Sequence, residues 1–382
     1  MLFAVTPMQG LAKDKTEDQL KLAKDAKSAI LMVADTGTVL YSKNADEKLP
    51  PASMTKIMTM LLIMDALDKG KISLNESVRT SEHAASMGGS QIYLEPGETM
   101  TVDQMLRGIA IGSANDASMA MAEKIAGSEE AFVKMMNEKA KELGLTHTHF
   151  VNPTGLPAKN HYSSAHDMAI MARALLQYGK KITKYTGTYE DYLREDSKKK
   201  FWLVNTNRLV KFYPGVDGLK TGFTNEAKYC LTASALKNGM RVIAVVMGAP
   251  KPKVRNAEIT NMLDYAYSQY QTHKVYGKGA VVKEAALDKG VDKKVPVVTQ
   301  REVAILTKKG ESPRNLEKVI EVRNDLKAPL AKGEQVGKLL LKKDGKVVSE
   351  FPLVAGKDVP KASWWHLFKR SIGNLTFQSN LH

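Results

Sequence analysis

The chain has 382 residues, 43% hydrophobic and 25% charged, an ordinary globular composition with length enough for two domains. Its formal net charge of +15 favours anionic partners, but the lysines are spread along the chain. No basic helix is interleaved with aromatics, so nucleic acid is not an expected partner. One cysteine, Cys230, excludes an intramolecular disulfide, and no run of about twenty apolar residues is present to span a membrane.

Residues 1–12 read as the remnant of a secretory signal, with small residues Gly10 and Ala12 at a peptidase-like spacing. Ala29–Val33 and Val39–Tyr41 flank Asp35-Thr36-Gly37 and predict a hairpin. After Pro50-Pro51, the stretch from Ser53 to Leu67 is apolar nearly all round, the mark of a helix buried on every side. Asp68-Lys69-Gly70 ends it, with Gly suited to the left-handed position past a helix. Helical patterns continue to about Leu176. Strands follow at Lys228–Leu236 and Arg241–Met247, then a helix from about Asn256 to Tyr270. Cys230 falls in the first of these strands and reads as a small buried residue. From about Gly277, short β-rich runs alternate with turns such as Asp344-Gly345 and predict a small all-β domain over 277–356. The expected class is α+β, one sheet built from both ends of the first domain beside a helical lobe.

Three motifs stand in order: Ser53-Met54-Thr55-Lys56 (S-x-x-K), Ser113-Ala114-Asn115 (S-x-N) and Lys220-Thr221-Gly222 (K-T-G). Each of the first two recurs: S-x-x-K at Ser197 and Ser234, S-x-N at Ser42 and Ser73. Context separates them. Ser197 opens a lysine run, Ser234 lies in a predicted strand, Ser42 ends a strand, and Ser73 sits in a polar connection. Ser53 alone stands at the start of a buried helix, with Lys56 one turn away on the same face. Burial disfavours a lysine's charged form, so Lys56 is a candidate base for the Ser53 hydroxyl. Ser113 lies in the loop between two predicted helices. Asn115, with two amide donors and an acceptor, suits a substrate backbone.

The ordered set is that of penicillin-binding proteins and serine β-lactamases. Together with Phe150-Val-Asn-Pro-Thr-Gly-Leu156, His161-Tyr-Ser-Ser-Ala-His-Asp-Met168 and Gly218-Leu-Lys-Thr-Gly-Phe-Thr224, it resembles the low-molecular-mass D-alanyl-D-alanine carboxypeptidases, most similarly their sporulation-associated Bacillus-type branch. The resemblance covers about residues 25–355. It implies a penicillin-binding-protein/serine β-lactamase-like fold, with a catalytic domain over 25–272 and K-T-G on an edge strand. It also implies acyl transfer through Ser53, with Lys56 and Ser113 as proton carriers and Asn115, Lys220, Thr221 and Gly222 binding substrate. The N–H groups of Ser53 and Phe223 would form the oxyanion hole. Arg255 matches a family arginine that recognises carboxylate, though the residue alone reads equally as a surface arginine at a helix start. The implied partners are a peptidoglycan stem peptide ending D-Ala-D-Ala and β-lactams as covalent inhibitors. Ala114 stands where the family commonly has glycine.

Two rival functions fit the residues less well. A serine β-lactamase of the common class needs a glutamate to activate water, and residues 146–166 contain no Asp or Glu. A non-catalytic wall-binding protein would not require the intact Ser/Lys, Ser/Asn and Lys-Thr-Gly sets. No cofactor is expected; His147-x-His149 lacks a third metal ligand. Finally, residues 361–378 place Trp365, Phe368, Ile372 and Leu375 at helical spacing beside Lys361, Lys369 and Arg370. This predicts an amphipathic helix resting on an anionic membrane surface, hence an extracytoplasmic enzyme on the outer face of the cytoplasmic membrane. The alternative is a helix docked on the β domain.

Overall fold

The computed structural model describes residues 20–313 and 315–365. The expected signal remnant and residues 366–378 of the expected tail helix lie outside the described residues. The described chain forms two compact units, the first built largely from residues up to Tyr267, the second from Ser268 onward.

In the first unit, β1 (Ser28–Val33) and β2 (Val39–Lys43) make the expected antiparallel hairpin. A 3-10 turn, Ala52–Thr55, runs directly into α1 (Lys56–Asp68), which buries every residue from Lys56 to Met64. Ser53 therefore sits one tight turn ahead of the α-helix, not within it. The helix ends with Gly70 donating to the Leu67 carbonyl and Lys71 to that of Ala66, with Gly70 left-handed at φ +65°.

The helical lobe follows: β3 (Ser77–Arg79), α2 (Glu82–Ala85), β4 (Thr99–Thr101), α3 (Val102–Ala110), α4 (Asn115–Ala126), α5 (Glu129–Glu142), α6 (Ala165–Leu175) and α7 (Lys180–Thr186). Local sequence starts these helices. Thr101 and Gln104 close a reciprocal capping box on α3, and Ser128 and Ser164 cap α5 and α6. The chain returns through the hairpin β5 (Glu190–Leu193) and β6 (Phe201–Val204), then α8 (Leu209–Phe212), β7 (Val216–Thr224), β8 (Lys228–Lys237), β9 (Met240–Ala249) and α9 (Pro252–Gln269).

Strand order in the main sheet is β2-β1-β9-β8-β7, so its two ends of sequence meet where β1 pairs with β9. β7 and β2 are its two edges. One continuous core joins Ile30, Met32, Ile243 and Val245 of the sheet to Met58, Leu62, Leu106, Met121 and Met168 of the lobe. Each such side chain, fully buried, contributes about 1.5–3 kcal/mol. That rigid packing holds the sheet edge against the helices, and the site lies at this seam.

The second unit holds β10 (Tyr270–Tyr276), β11 (Val281–Ala286), β12 (Lys294–Thr299), β13 (Val303–Lys308), β14 (Leu316–Val322), β15 (Gln335–Lys343) and β16 (Lys346–Ala355). Five of them form a sheet in the order β11-β12-β16-β15-β14 around Val295, Leu339, Leu341, Phe351 and Leu353. Two expected boundaries shift. Residues 270–276 form a strand paired with β13, so the β unit starts before 277; a polar run acquires strand structure from its partner. Lys361 bridges to Gly290 and the Ala362 N–H donates to Lys289 O, so these two residues close the β unit instead of opening a tail helix.

Candidate active site

Lys56 is wholly buried, and its Nζ has three oxygen neighbours: Ser53 Oγ at 3.1 Å, Asn115 Oδ1 at 2.6 Å and the Thr154 carbonyl at 2.7 Å. The amide oxygen and the carbonyl can only accept. They take two N–H bonds and leave the third direction to the serine hydroxyl, which can donate to an amine lone pair. Burial pushes Lys56 well below the ordinary lysine range; repulsion from Lys220 adds to this and Asp116 opposes it. Geometry and electrostatics agree on a neutral amine poised to take the Ser53 proton.

The S-x-N loop joins α3 to α4. Ser113 is buried at φ +63°, a left-handed conformation costing a non-glycine residue of order 1–3 kcal/mol and common at functional sites. Asn115 opens α4 with both polar ends engaged: Oδ1 accepts from Lys56, Nδ2 donates to Gly88 O at 2.7 Å. The next residue, Asp116, was not singled out from sequence. Its buried carboxylate accepts from the N–H groups of Ile92, Leu94 and Ala117, pinning the loop that carries Gly88.

A third wall comes from the loop that carries Asn152, Thr154 and Gly155. Asn152 Oδ1 accepts from Thr154 N, Thr154 Oγ1 and Gly155 N, a tight local turn that aims the Thr154 carbonyl at Lys56. Gly155 has φ +84°, and a Cβ there would lie 1.9 Å from the Ala52 carbonyl. His161 Nδ1 accepts from Val151 N at 3.1 Å, which leaves Nε2–H to donate to Thr55 Oγ1 at 2.8 Å. Burial lowers His161 to about 4, so it is the neutral tautomer that braces the nucleophile turn. The Asn-Pro-Thr-Gly turn signal was visible in sequence; its target was not.

β7 forms the opposite wall. Lys220 is fully buried, with Nζ donating to Thr221 O at 3.1 Å. Burial, then repulsion from Arg255, lowers it to about 7. Thr221 Oγ1 donates to Thr206 Oγ1 at 2.7 Å. A Cβ at Gly222 would sit 2.7 Å from the Pro51 carbonyl and 3.2 Å from Ala52 Cβ, so only glycine lets β7 lie against the nucleophile turn. Phe223 is half-exposed and stacks on Tyr229 with ring centroids 4.5 Å apart. Arg255 is 6% exposed, which removes the surface reading. Its Nε and Nη2 both donate to Asn256 Oδ1, and burial lowers it to about 10. Cys230 is buried, its thiol pushed up to about 11 by burial, an inert packing residue.

The competing serines have other duties. Ser234 Oγ donates to Asp217 and accepts from Arg241 within the sheet, and Ser197 Oγ donates to the Arg194 carbonyl in an exposed turn. His147 and His149 bond locally, and the described residues contain no cluster of three metal-ligating side chains.

A family model for the D-alanyl-D-alanine carboxypeptidases of peptidase family S11 matches residues 13–251. The chain belongs to the D-alanyl-D-alanine carboxypeptidase family. A second model, the C-terminal domain of penicillin-binding protein 5, matches residues 270–361, essentially the β unit. The carboxypeptidase DacF of Bacillus subtilis is 60% identical over 98% of this chain and 96% of its own length, which places the chain with the Bacillus-type branch. The Escherichia coli carboxypeptidase DacA is 33% identical over 89% and 85%. Among solved structures, penicillin-binding protein 5 of Haemophilus influenzae superposes with TM-score 0.69 at 32% identity, covering 88% of this chain and 98% of that one. Penicillin-binding protein D2 of Listeria monocytogenes, solved with ampicillin bound, gives TM-score 0.57 at 29% identity over 64% and 98%.

Proposed function

We propose that Ser53 is the nucleophile with which this carboxypeptidase removes the terminal D-alanine from peptidoglycan stem peptides ending D-Ala-D-Ala, and that Lys56 is its base. The observation that carries the assignment is the buried Lys56 amine, held by Asn115 Oδ1 and Thr154 O and 3.1 Å from Ser53 Oγ. Ser53 Oγ attacks the penultimate carbonyl as its proton passes to Lys56. The N–H groups of Ser53 and Phe223 stabilise the oxyanion, each donor being worth about 3–4 kcal/mol in the transition state. The C–N bond breaks, the proton returns through Ser113 to the leaving amine, and water then hydrolyses the ester. Lys220, Thr221 and Arg255 receive the substrate carboxylate, a task suited to a fork-shaped guanidinium beside a buried ammonium.

β-Lactams acylate the same serine in this reading, in keeping with the ampicillin-bound relative. Slow release follows from a loop, residues 146–166, with no acid to activate water. The enzyme works outside the cytoplasm, held at the membrane surface by its tail, where it limits cross-linking of cell-wall peptidoglycan. A role in spore peptidoglycan is supported by the kinship with the Bacillus subtilis protein.

The test is release of free D-alanine from a peptide ending D-Ala-D-Ala, run beside labelling with fluorescent penicillin. Ser53→Ala should reduce both by at least about a thousandfold. Persistent labelling mapped to Ser197 or Ser234 overturns the assignment.

A further inference from the structure

A guanidinium holds its N–H groups in one plane and presents two forks: a side fork of Nε with Nη2, and an end fork of Nη1 with Nη2. In Arg255 the side fork is taken. Nε donates to Asn256 Oδ1 at 3.1 Å and Nη2 to the same oxygen at 2.9 Å. Only the amide oxygen of Asn256 can face Arg255, because every guanidinium nitrogen is a donor. Nη1 makes no hydrogen bond among the described residues, yet it is not one of the buried polar atoms left without a partner, so it meets solvent. The end fork is the open one.

The contact is unusual for its place. Asn256 follows Arg255 directly in α9, and adjacent helix positions point about 100° apart. Arg255 is buried and Asn256 half-buried, so the guanidinium folds back over the helix surface to reach its neighbour. Asparagine is also a weak helix former, since its amide competes for backbone groups; the buried face of α9 is carried by Ile259, Met262, Leu263 and Ala266. Arg255 itself lies against the K-T-G strand. Burial affects its charge most, followed by Cys230 and Tyr229 of β8, which pair with Gly222 and Phe223 of β7. After burial, Arg255 is what lowers Lys220. Neither cation has a carboxylate partner among the described residues: Lys220 donates to a main-chain carbonyl and Arg255 to an amide oxygen.

We infer that Asn256 is a positioning residue: its amide oxygen holds the side fork of Arg255, fixes the plane of the guanidinium and leaves the end fork as the edge that takes the substrate's terminal carboxylate. A neutral acceptor suits this task. It orients the arginine without cancelling its charge, as an Asp or Glu in the same place would. Without Oδ1 the guanidinium is free to turn, and ordering it falls to the substrate. The inference rests on the proposed carboxypeptidase reading, which assigns the terminal carboxylate to Arg255.

Two substrates read the effect in the full chain: an acylated D-Ala-D-Ala peptide with a free carboxylate, and the same peptide ending in a carboxamide. The wild type should prefer the carboxylate in kcat/KM. Asn256→Ala should cut that preference by roughly fivefold, the net worth of about one hydrogen bond, through KM and not kcat. Its thermal stability should be equal or higher, because alanine is the better helix former. In an Arg255→Gln background, Asn256→Ala should leave the preference where Arg255→Gln alone puts it, since the two residues act as one unit. A preference that Asn256→Ala leaves intact, or lowers equally with and without Arg255, refutes the positioning role while the carboxypeptidase reading stands. If the wild type cleaves both peptides equally, the carboxylate role of Arg255 fails and the inference with it. If it does not cleave the free-carboxylate peptide, the carboxypeptidase reading itself fails.

Discussion

Lys56 and Lys220 are two fully buried amines in one site; repulsion from Lys220 adds to the burial that lowers Lys56, and repulsion from Arg255 adds to the burial that lowers Lys220. Lys56 loses its proton readily and so can serve as base. Lys220, lowered to about 7, is charged below that pH and increasingly neutral above it. A substrate carboxylate prefers the charged form. KM for a D-Ala-D-Ala peptide should therefore rise as pH climbs through about 7, while Lys220→Arg gives a KM that is altered but flat with pH. A flat wild-type KM would count against the carboxylate role of Lys220. His161 titrates with the opposite consequence for stability. Its folded value of about 4 lies below the ordinary histidine value of 6.5, so the unfolded chain binds the proton more tightly. The stability it contributes is complete above about 6.5 and is lost as pH falls toward 4, to a limit of roughly 3 kcal/mol. Replacing it by Gln should flatten the acid limb of stability measured by urea unfolding between those pH values. An unchanged limb would show that other groups dominate acid unfolding.

At the scale of elements, three pieces of backbone converge on α1: the S-x-N loop, the Asn152–Gly155 turn and β7. The first and third announce themselves by motif. The second acts through a main-chain carbonyl, which any residue supplies, so its sequence carries only turn chemistry. Lys56 and Thr154 are 98 residues apart, and Thr55 and His161 are 106 apart. No local pattern records such pairs. Gly155→Ala tests this wall. The added Cβ meets the Ala52 carbonyl and needs φ near +84°, so the turn must shift and withdraw Thr154 O from Lys56. Loss of about 2 kcal/mol or more in thermal stability is expected, together with slower acylation by penicillin. A stable variant with unchanged acylation would show that the carbonyl is dispensable.

At the scale of the whole molecule, the proposed attachment to a membrane surface is open to test. Among the described residues, no helix is long and apolar enough to cross a membrane. The charge of +15 and the exposed Trp364 and Trp365, their rings edge to face at 5.1 Å, support surface attachment through the tail. Lys361 and Ala362 belong to the β unit, so truncation should follow Ser363, leaving that unit intact. The shortened protein should no longer sediment with anionic vesicles yet should cleave soluble peptides at the full-length rate. High salt should release the full chain only in part, because the apolar contribution is insensitive to screening. Vesicle binding that survives truncation would assign the tail to another task.

By itself the sequence determined the buried helix that follows Ser53, the α+β class, the sheet assembled from both ends of the first unit, and the separate β-rich unit. Each is written in short-range signals: a helix buried all round, alternating strands, turn residues and three motifs in order. Tertiary structure alone decided that Arg255 is buried, that Ser234 is spent on Asp217 and Arg241, that residues 270–276 are a strand, and that Thr154 and His161 support the catalytic turn. Those facts depend on which distant segments share a neighbourhood. Burial and pairing are properties of that neighbourhood and of no single stretch of chain.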